Sequence, residues 1–408
     1  MMNKRIFKLL ITIFCVVSFV MSLSSCSGCR NNNDSRTDLS PDTVPVTDTI
    51  RLIFAGDVMG HSTQFRGAWR DGGDSCYNFA PTFQWVKDYI SSADLAIANL
   101  EVTFAGEPYM GYPRFSSPAS LAAALKDTGF DILLTANNHI LDHGSTGLVL
   151  TIDALEKLGF SRTGSFKDSA DWRANHPLMI RKNGFNLAFL NYTYGTNALT
   201  ARPPVMVNYM DTSMIAIDMY RCKAMGADFI IACVHWGEEY QIKENELQRQ
   251  FADVLVRNGC HLIIGAHPHV VQPIKEIDME TVGFVMDSIH SHVTDTACSI
   301  QSIPEKVAGA VVVAYSLGNL VSNQRWRYSD GGIMLEVTLT KTDSVVEIQS
   351  YGYEPFWVHR FPEQNAQIYR LILIKDYISD PERYPAITSE DERMLLQFDS
   401  DTKQIMND

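Results

Sequence analysis

The 408-residue sequence has no Gly-rich Lys-Ser/Thr phosphate loop, which excludes a P-loop nucleotide-driven synthetase. No internal repeat is visible. Cysteine is sparse at 8 residues, and no Cys-x-x-Cys pair suggests structural zinc. Cys222, Cys233 and Cys260 sit in apolar surroundings and read as buried thiols. A Cys29–Cys76 or Cys76–Cys298 bridge stays open, since spacing cannot choose between them. Positive charge is also short. The formal net charge is −13, and removing residues 1–25, with three basic and no acidic residues, takes it to −16. Such a surface argues against nucleic acid or anionic headgroups as the main partner. A polyanionic substrate would then depend on a local cationic centre, such as metal ions.

The N-terminus reads as a processing signal. Lys4, Arg5 and Lys8 precede an apolar run over 9–20, too short and too early for a membrane span. Leu23-Ser24-Ser25-Cys26 then resembles a bacterial lipoprotein signal, which implies cleavage before Cys26 and its lipidation. The expected product is exported and lipid-anchored to a bacterial membrane in the cell envelope. Residues 26–48 are polar and read as a disordered tether.

Periodic signals run over 49–362, the expected folded domain, followed by a helical C-terminal extension over 363–408. Helices are expected over 80–92, 118–127, 144–158, 211–225 and 244–258. Apolar strands are expected over 94–99, 131–136, 228–234 and 261–265. This alternation favours an α/β sheet with helices outside it. Asn183-Gly184 between two apolar runs predicts a hairpin, and 333–340 with 345–351 predicts another, so the sheets should be mixed. The polar stretch 278–304 reads as a surface insertion. Further helices are expected over 365–378 and 389–398.

Six apolar runs each end in Asp, Glu, Asn or His: Ile53 to Asp57, Leu95 to Glu101, Thr135 to His139, Ile231 to Gly237, Ile264 to His269 and Tyr315 to Asn319. Unalternating apolar runs read as buried central strands, and their ends form the usual ligand-binding mouth of an α/β sheet. Asp57, Glu101, Asn138, His139, His235, His267 and His269 therefore form one candidate site. His267 and His269, one residue apart, would project to the same side of an extended segment. Carboxylates, an amide and imidazoles suit Mn²⁺, Fe²⁺ or Zn²⁺. Taken singly, a strand-end Asp is more often a cap and a buried His more often structural. His61, Asp142, His143, His176 and His261 stay in that structural class.

In order, Gly56-Asp57-Val58-Met59, Asn99-Leu100-Glu101, the run from Ala136 to Gly144, the run from His235 to Tyr240, the run from Gly265 to Gln272 and the run from Tyr315 to Asn319 resemble the bacterial CapA family. That family is associated with poly-γ-glutamate capsule synthesis and export and is related to the calcineurin-like metallophosphatases. The resemblance implies a four-layer α/β/β/α sandwich of two mixed sheets with a site for up to two metals at the strand ends. Asp57 resembles the carboxylate of the first metallophosphatase motif, and Glu101 stands near an expected bridging Asp. Asn138 resembles a ligand, His139 the general acid, and His235, His267 and His269 the later His ligands. Met59 stands where that first motif carries a His, which weakens one metal position unless His61 substitutes.

Two functions follow as expectations. One is a metal-dependent hydrolase-like enzyme acting on an anionic surface polymer or a phosphorylated precursor, alongside other capsule synthesis proteins. The other is a non-catalytic polymer-binding or assembly factor using the same cleft. A structural lipoprotein with an inert site is the bland reading.

Overall fold

The computed structural model describes residues 47–278 and 310–407. The expected signal, tether, Cys26, Cys29, Cys298 and most of the 278–304 insertion lie outside these residues. In chain order the first elements are β1 (Thr47–Val58), α1 (Ser62–Asp71), α2 (Ala80–Phe83), α3 (Lys87–Ser91), β2 (Leu95–Leu100), α4 (Ser120–Thr128), β3 (Ile132–Leu134), α5 (Gly144–Lys157) and β4 (Ser161–Thr163). There follow β5 (Ser165–Phe166), α6 (Ser169–Asn175), β6 (Leu178–Lys182), β7 (Phe185–Thr193), β8 (Met206–Val207), α7 (Thr212–Ala224), β9 (Phe229–His235), α8 (Glu246–Arg257), β10 (Leu262–Ala266) and β11 (Val271–Asp278). The last are β12 (Ala310–Leu317), β13 (Asn319–Val321), β14 (Gly331–Thr342), β15 (Val345–Glu363), β16 (Ala366–Leu373), α9 (Ile374–Ser379) and α10 (Ser389–Asn407).

Two mixed sheets result. One runs β16-β15-β14-β1-β2-β3-β4, with β13 also paired to β1; the other runs β11-β12-β10-β9-β7-β6. In the first, β1, β2, β3 and β4 are parallel; in the second, β7, β9, β10 and β12 are. Alternation along the strands explains the layers. Leu52, Phe54, Leu95 and Ile97 from one sheet share a core with Phe189, Ile231, Leu262 and Ile264 from the other. Their neighbours Ile53, Ala55, Ala96 and Ala98 face the opposite way, onto Phe65, Phe83, Leu121 and Leu125 of α1, α2 and α4. On the second sheet, Ile230, Ala232 and Ile263 meet Ile215, Met219, Phe251 and Leu255 of α7 and α8. This is the expected α/β/β/α sandwich. Each fully buried Leu, Ile or Phe contributes about 1.5–3 kcal/mol of transfer free energy.

The Asn183-Gly184 hairpin forms as expected, with φ +48° and +80° at its two turn residues. Three expectations need correction. The helix expected over 80–92 is two short helices, and Trp85 between them meets Tyr384 edge-on at 4.8 Å. The helix expected over 365–378 is the strand β16, antiparallel to β15, followed by the short α9. The extension after 362 is thus not wholly helical. Leu371, Ile372 and Leu373 are consecutively buried, which a helix on the surface cannot do and a covered strand can. His267-Pro268-His269 is not extended: His267 and His269 both adopt positive φ, +100° and +57°.

Gly318 (φ +73°) is where the chain leaves β12 in one sheet and enters β13 in the other. Its carbonyl accepts from the Asp57 N–H at 3.0 Å. A Cβ on Gly56 would stand 1.9 Å from that same oxygen, so glycine is required there for the two sheets to approach under Asp57.

Candidate functional site

The C-terminal ends of β1, β2, β3, β9 and β10 converge, and each delivers a polar side chain through a buried backbone. Asp57, at the end of β1, is fully buried. Its Oδ1 accepts from Asn99 Nδ2 at 2.8 Å, and its Oδ2 accepts from the His267 N–H at 3.2 Å and lies 3.1 Å from His269 Nδ1. Glu101, just beyond β2, is also fully buried. Among the described residues neither of its carboxylate oxygens has a hydrogen-bond partner. Its Oε1 lies 3.5 Å from His235 Nε2 and 3.7 Å from His269 Nε2. His235 is held between two amides: Asn138 Oδ1 lies 3.0 Å from Nε2 and Asn99 Nδ2 lies 3.2 Å from Nδ1. His267 packs 4.7 Å from His235, ring to ring, with its Nδ1 buried and unpartnered among the described residues.

The positive φ values at His267 and His269 have a consequence. A turn sends the two rings to different partners, whereas an extended segment would send them to one side. Two groups of potential ligand atoms result, each within 4.8 Å: Glu101, His235 and His267, and Asp57, Glu101 and His269. Glu101 belongs to both. The donor set is all carboxylate oxygen and imidazole nitrogen, with Asn138 Oδ1 adjacent, and three of its buried atoms lack a partner among the described residues. Such a set fits divalent cations.

The electrostatics point the same way. Burial, reinforced by nearby Asp57, holds the Glu101 carboxyl well above its ordinary range. Burial and then the neighbouring His267 hold His235 well below its ordinary value. Burial and then His269 push His267 down to about 3. Without a cation, then, the site favours a protonated carboxyl and neutral imidazoles.

His139 stands apart from both groups. Its Nδ1 lies 2.8 Å from Asp142 Oδ2, and Phe115 packs edge-on to its ring at 4.6 Å. Asp142 Oδ2 also accepts from the Phe115 N–H at 2.7 Å, so one carboxylate fixes both the ring and the loop beside it. Asp142, expected to be structural, and Asn99, which no sequence signal singles out, both contact candidate site residues. For Asp142 the spacing to His139, three residues, was the available signal. Asn137 serves the backbone, donating to Leu100 O at 2.7 Å and accepting from the His139 N–H at 3.1 Å. Asn319 does not join the ligand groups. Its Nδ2 lies within 3.1 Å of His269 O, Gln324 Oε1 and Ser329 O, which anchors the loop carrying His269.

Met59, where the related motif has a His, is buried in the apolar layer beneath α1. His61 does not take its place in either group. It is the N-cap residue of α1, its N–H donates to Gln64 Oε1 at 2.7 Å, and its Nδ1 accepts from the Asn323 N–H at 3.3 Å. Among the described residues Cys76 is exposed with no disulfide partner, and Cys222, Cys233 and Cys260 are buried free thiols.

The family described as Bacterial capsule synthesis protein PGA_cap matches residues 51–324, a span that holds every residue of this site. The chain is 26% identical over 307 residues to the PGA biosynthesis protein CapA of Bacillus subtilis (strain 168), covering 72% of this chain and 69% of that protein. It is 28% identical over 224 residues to the capsule biosynthesis protein CapA of Bacillus anthracis, covering 52% of this chain and 53%, about half, of that protein. Among solved structures, a novel phosphatase of Mycoplasma pneumoniae aligns at TM-score 0.41 and 14% identity, covering 76% of this chain and 95% of its own. The calcineurin-like phosphoesterase YfkN from Bacillus subtilis aligns at TM-score 0.40 and 13% identity, covering 89% and 100%.

Proposed function

The chain belongs to the bacterial capsule synthesis protein PGA_cap family, and from that premise we propose that it serves synthesis, export or attachment of an anionic, poly-γ-glutamate-like surface polymer through a metal-dependent hydrolase-like centre. One observation carries the reading: two carboxylate–imidazole groups share Glu101, a fully buried carboxylate with no hydrogen-bond partner among the described residues. A buried charge of that kind is costly unless a cation meets it.

In this reading Asp57, Glu101 and His269 hold one divalent ion, and Glu101, His235 and His267, with Asn138, hold a second. The donor chemistry suits Mn²⁺, Fe²⁺ or Zn²⁺. Such ions supply Lewis acidity toward a phosphoryl or carbonyl oxygen and offset the negative charge of the substrate. The chain's own residues do the rest. Asp142 accepts the Nδ1 proton of His139 and so fixes the tautomer. With Nδ1–H so held, a ring that also carries a proton on Nε2 can give that proton to a leaving-group oxygen, and Asp142 offsets the positive charge of the doubly protonated ring. Phe115 holds the ring in place. Tyr194, packed 4.7 Å from His267, shields the imidazoles from bulk water. Cys26 carries the lipid that keeps this centre at a membrane of the cell envelope, where partner capsule proteins deliver polymer or a phosphorylated precursor.

A second reading is a polymer-holding assembly factor with the same cleft. The apolar Met59 in place of the related motif's His favours it, since one metal position has a ligand fewer. The deciding experiment is turnover of bis(p-nitrophenyl) phosphate and of a γ-glutamyl oligomer by metal-loaded wild type and His139→Asn. The enzyme reading expects bound metal in both and a rate about a hundredfold lower in the variant. Bound metal without turnover in wild type selects the second reading. Equal rates in the two proteins contradict the role of His139.

A further inference from the structure

The mouth of the site is ringed by exposed aromatic side chains, each one or two ring contacts from a site histidine. Tyr194, 47% exposed, stacks nearly parallel (9°) on His235 at 6.2 Å. Trp326, 59% exposed, stacks on Tyr240 at 5.1 Å, and Tyr240 lies 6.1 Å from His269. Tyr112, 77% exposed, contacts Phe115 at 6.5 Å, and Phe115 contacts His139. Each of these ring contacts leads to a histidine of the same site, so the rings border a common space. Large rings exposed in one cluster mark a binding surface rather than packing.

The charge of the rim speaks to the ligand. Glu238 and Glu239 are exposed beside Tyr240. A bare γ-glutamyl chain has no ring to place on the aromatic faces. A sugar ring has an apolar C–H face for stacking and hydroxyls that donate to carboxylates. A second set of rings extends the pattern. The loop 105–116 that carries Tyr112 also carries Tyr109, which walls a groove of about 730 Å³ with Trp69, Tyr77 and Arg66. Tyr77 lies 5.0 Å from Trp69 and 5.3 Å from Tyr109. The Gly111 N–H donates to Ser62 Oγ at 3.2 Å, which ties this loop to the start of α1 beside the site. Repeated, spaced platforms suit a chain of rings; a single nucleobase would need only one.

We propose that the cleft recognises a saccharide chain, so that the group brought to the carboxylate–imidazole centre is glycan-linked and the bare γ-glutamyl chain is not the main ligand. The inference rests on the proposed function for its chemistry, not for its binding step. Titration of the mature chain with chitotetraose, maltotetraose and mannotetraose, followed by tryptophan fluorescence and calorimetry, tests it. A γ-glutamyl decamer and AMP are the comparison probes. At least one tetrasaccharide should bind more tightly than either comparison probe. Trp326→Ala and Tyr112→Leu should each weaken it about tenfold, the scale of one lost stacking contact. Both positions are exposed, so melting temperature and metal content should not change. Tighter binding of the decamer or AMP, no tetrasaccharide binding, or unchanged affinity in both variants overturns the proposal. Metal content separates the two readings. Protein that binds tetrasaccharide but no metal refutes the metal centre alone, and protein that binds metal but no tetrasaccharide refutes the saccharide cleft alone.

Discussion

Replacing Glu101 by Gln keeps the shape of the side chain and removes its charge. In the metal-free protein Glu101 is fully buried, beside Asp57, with both oxygens unpartnered among the described residues. An unsatisfied buried polar group costs about 1–3 kcal/mol, more when charged. Glu101→Gln should therefore stabilise the metal-free protein by about 1–3 kcal/mol near pH 8, about 2 °C in melting temperature per kcal/mol for a domain of this size. The pH dependence has a definite sign. The folded-state pKa of Glu101 is raised, so its full contribution to stability is present below the ordinary carboxylate range and is lost as pH rises toward the folded value. The advantage of the Gln variant should accordingly shrink to nothing as pH falls to about 4. His235 and His267 act in the opposite direction, since their lowered values cost stability as pH falls below about 6.5, but they are common to both proteins. With metal the order should invert. Wild type gains about 4.1 kcal/mol at a thousandfold excess of ion over Kd, and the variant, lacking the shared ligand, loses most of that gain. Differential scanning calorimetry in EDTA and in Mn²⁺, at pH 4 and pH 8, reads all four conditions. A variant that is less stable than wild type in EDTA, with an unchanged Mn²⁺ shift, would refute the reasoning.

Two other perturbations probe the frame and the anchor. Gly56→Ala places a Cβ 1.9 Å from the Gly318 carbonyl oxygen, a backbone atom that cannot swing aside. It should cost about 1–3 kcal/mol and weaken metal binding by displacing Asp57, seen as a lower melting temperature and a weaker calorimetric Kd. Cys26→Ser should leave the protein unprocessed or released from the membrane fraction. An unmodified Cys26 in membrane-bound wild type, seen in the mass of the N-terminal peptide, would sink the anchoring idea.

Much of this was legible in the sequence because the site sits where buried strands end. Unalternating runs such as 95–98 and 231–234 announce central strands, and the polar residue that follows must lie at their mouth. The Asn183-Gly184 turn announced its hairpin through residues that tolerate positive φ. What stayed hidden depends on contacts far apart in the chain. Asn99 is one more strand residue until folding sets it 2.8 Å from Asp57 and 3.2 Å from His235. The rim formed by Tyr112, Tyr194 and Trp326 comes from three separate loops. The β16 strand was misread because the charged residues around it suggested a surface helix, whereas pairing with β15 and cover on both faces decide its form. The separate neighbours of His267 and His269 follow from two positive φ values that no spacing rule foretells.

The central claim is that Glu101, His235 and His267, and Asp57, Glu101 and His269, form one metal centre. The most direct measurement is the metal stoichiometry of the purified chain by elemental analysis, beside that of His267→Ala combined with His269→Ala. The account predicts up to two Mn, Fe or Zn ions per wild-type chain and their loss in the double variant, with circular dichroism and core packing retained. A double variant that keeps the wild-type stoichiometry, or a wild-type chain that binds no divalent ion at saturating concentration, would contradict it.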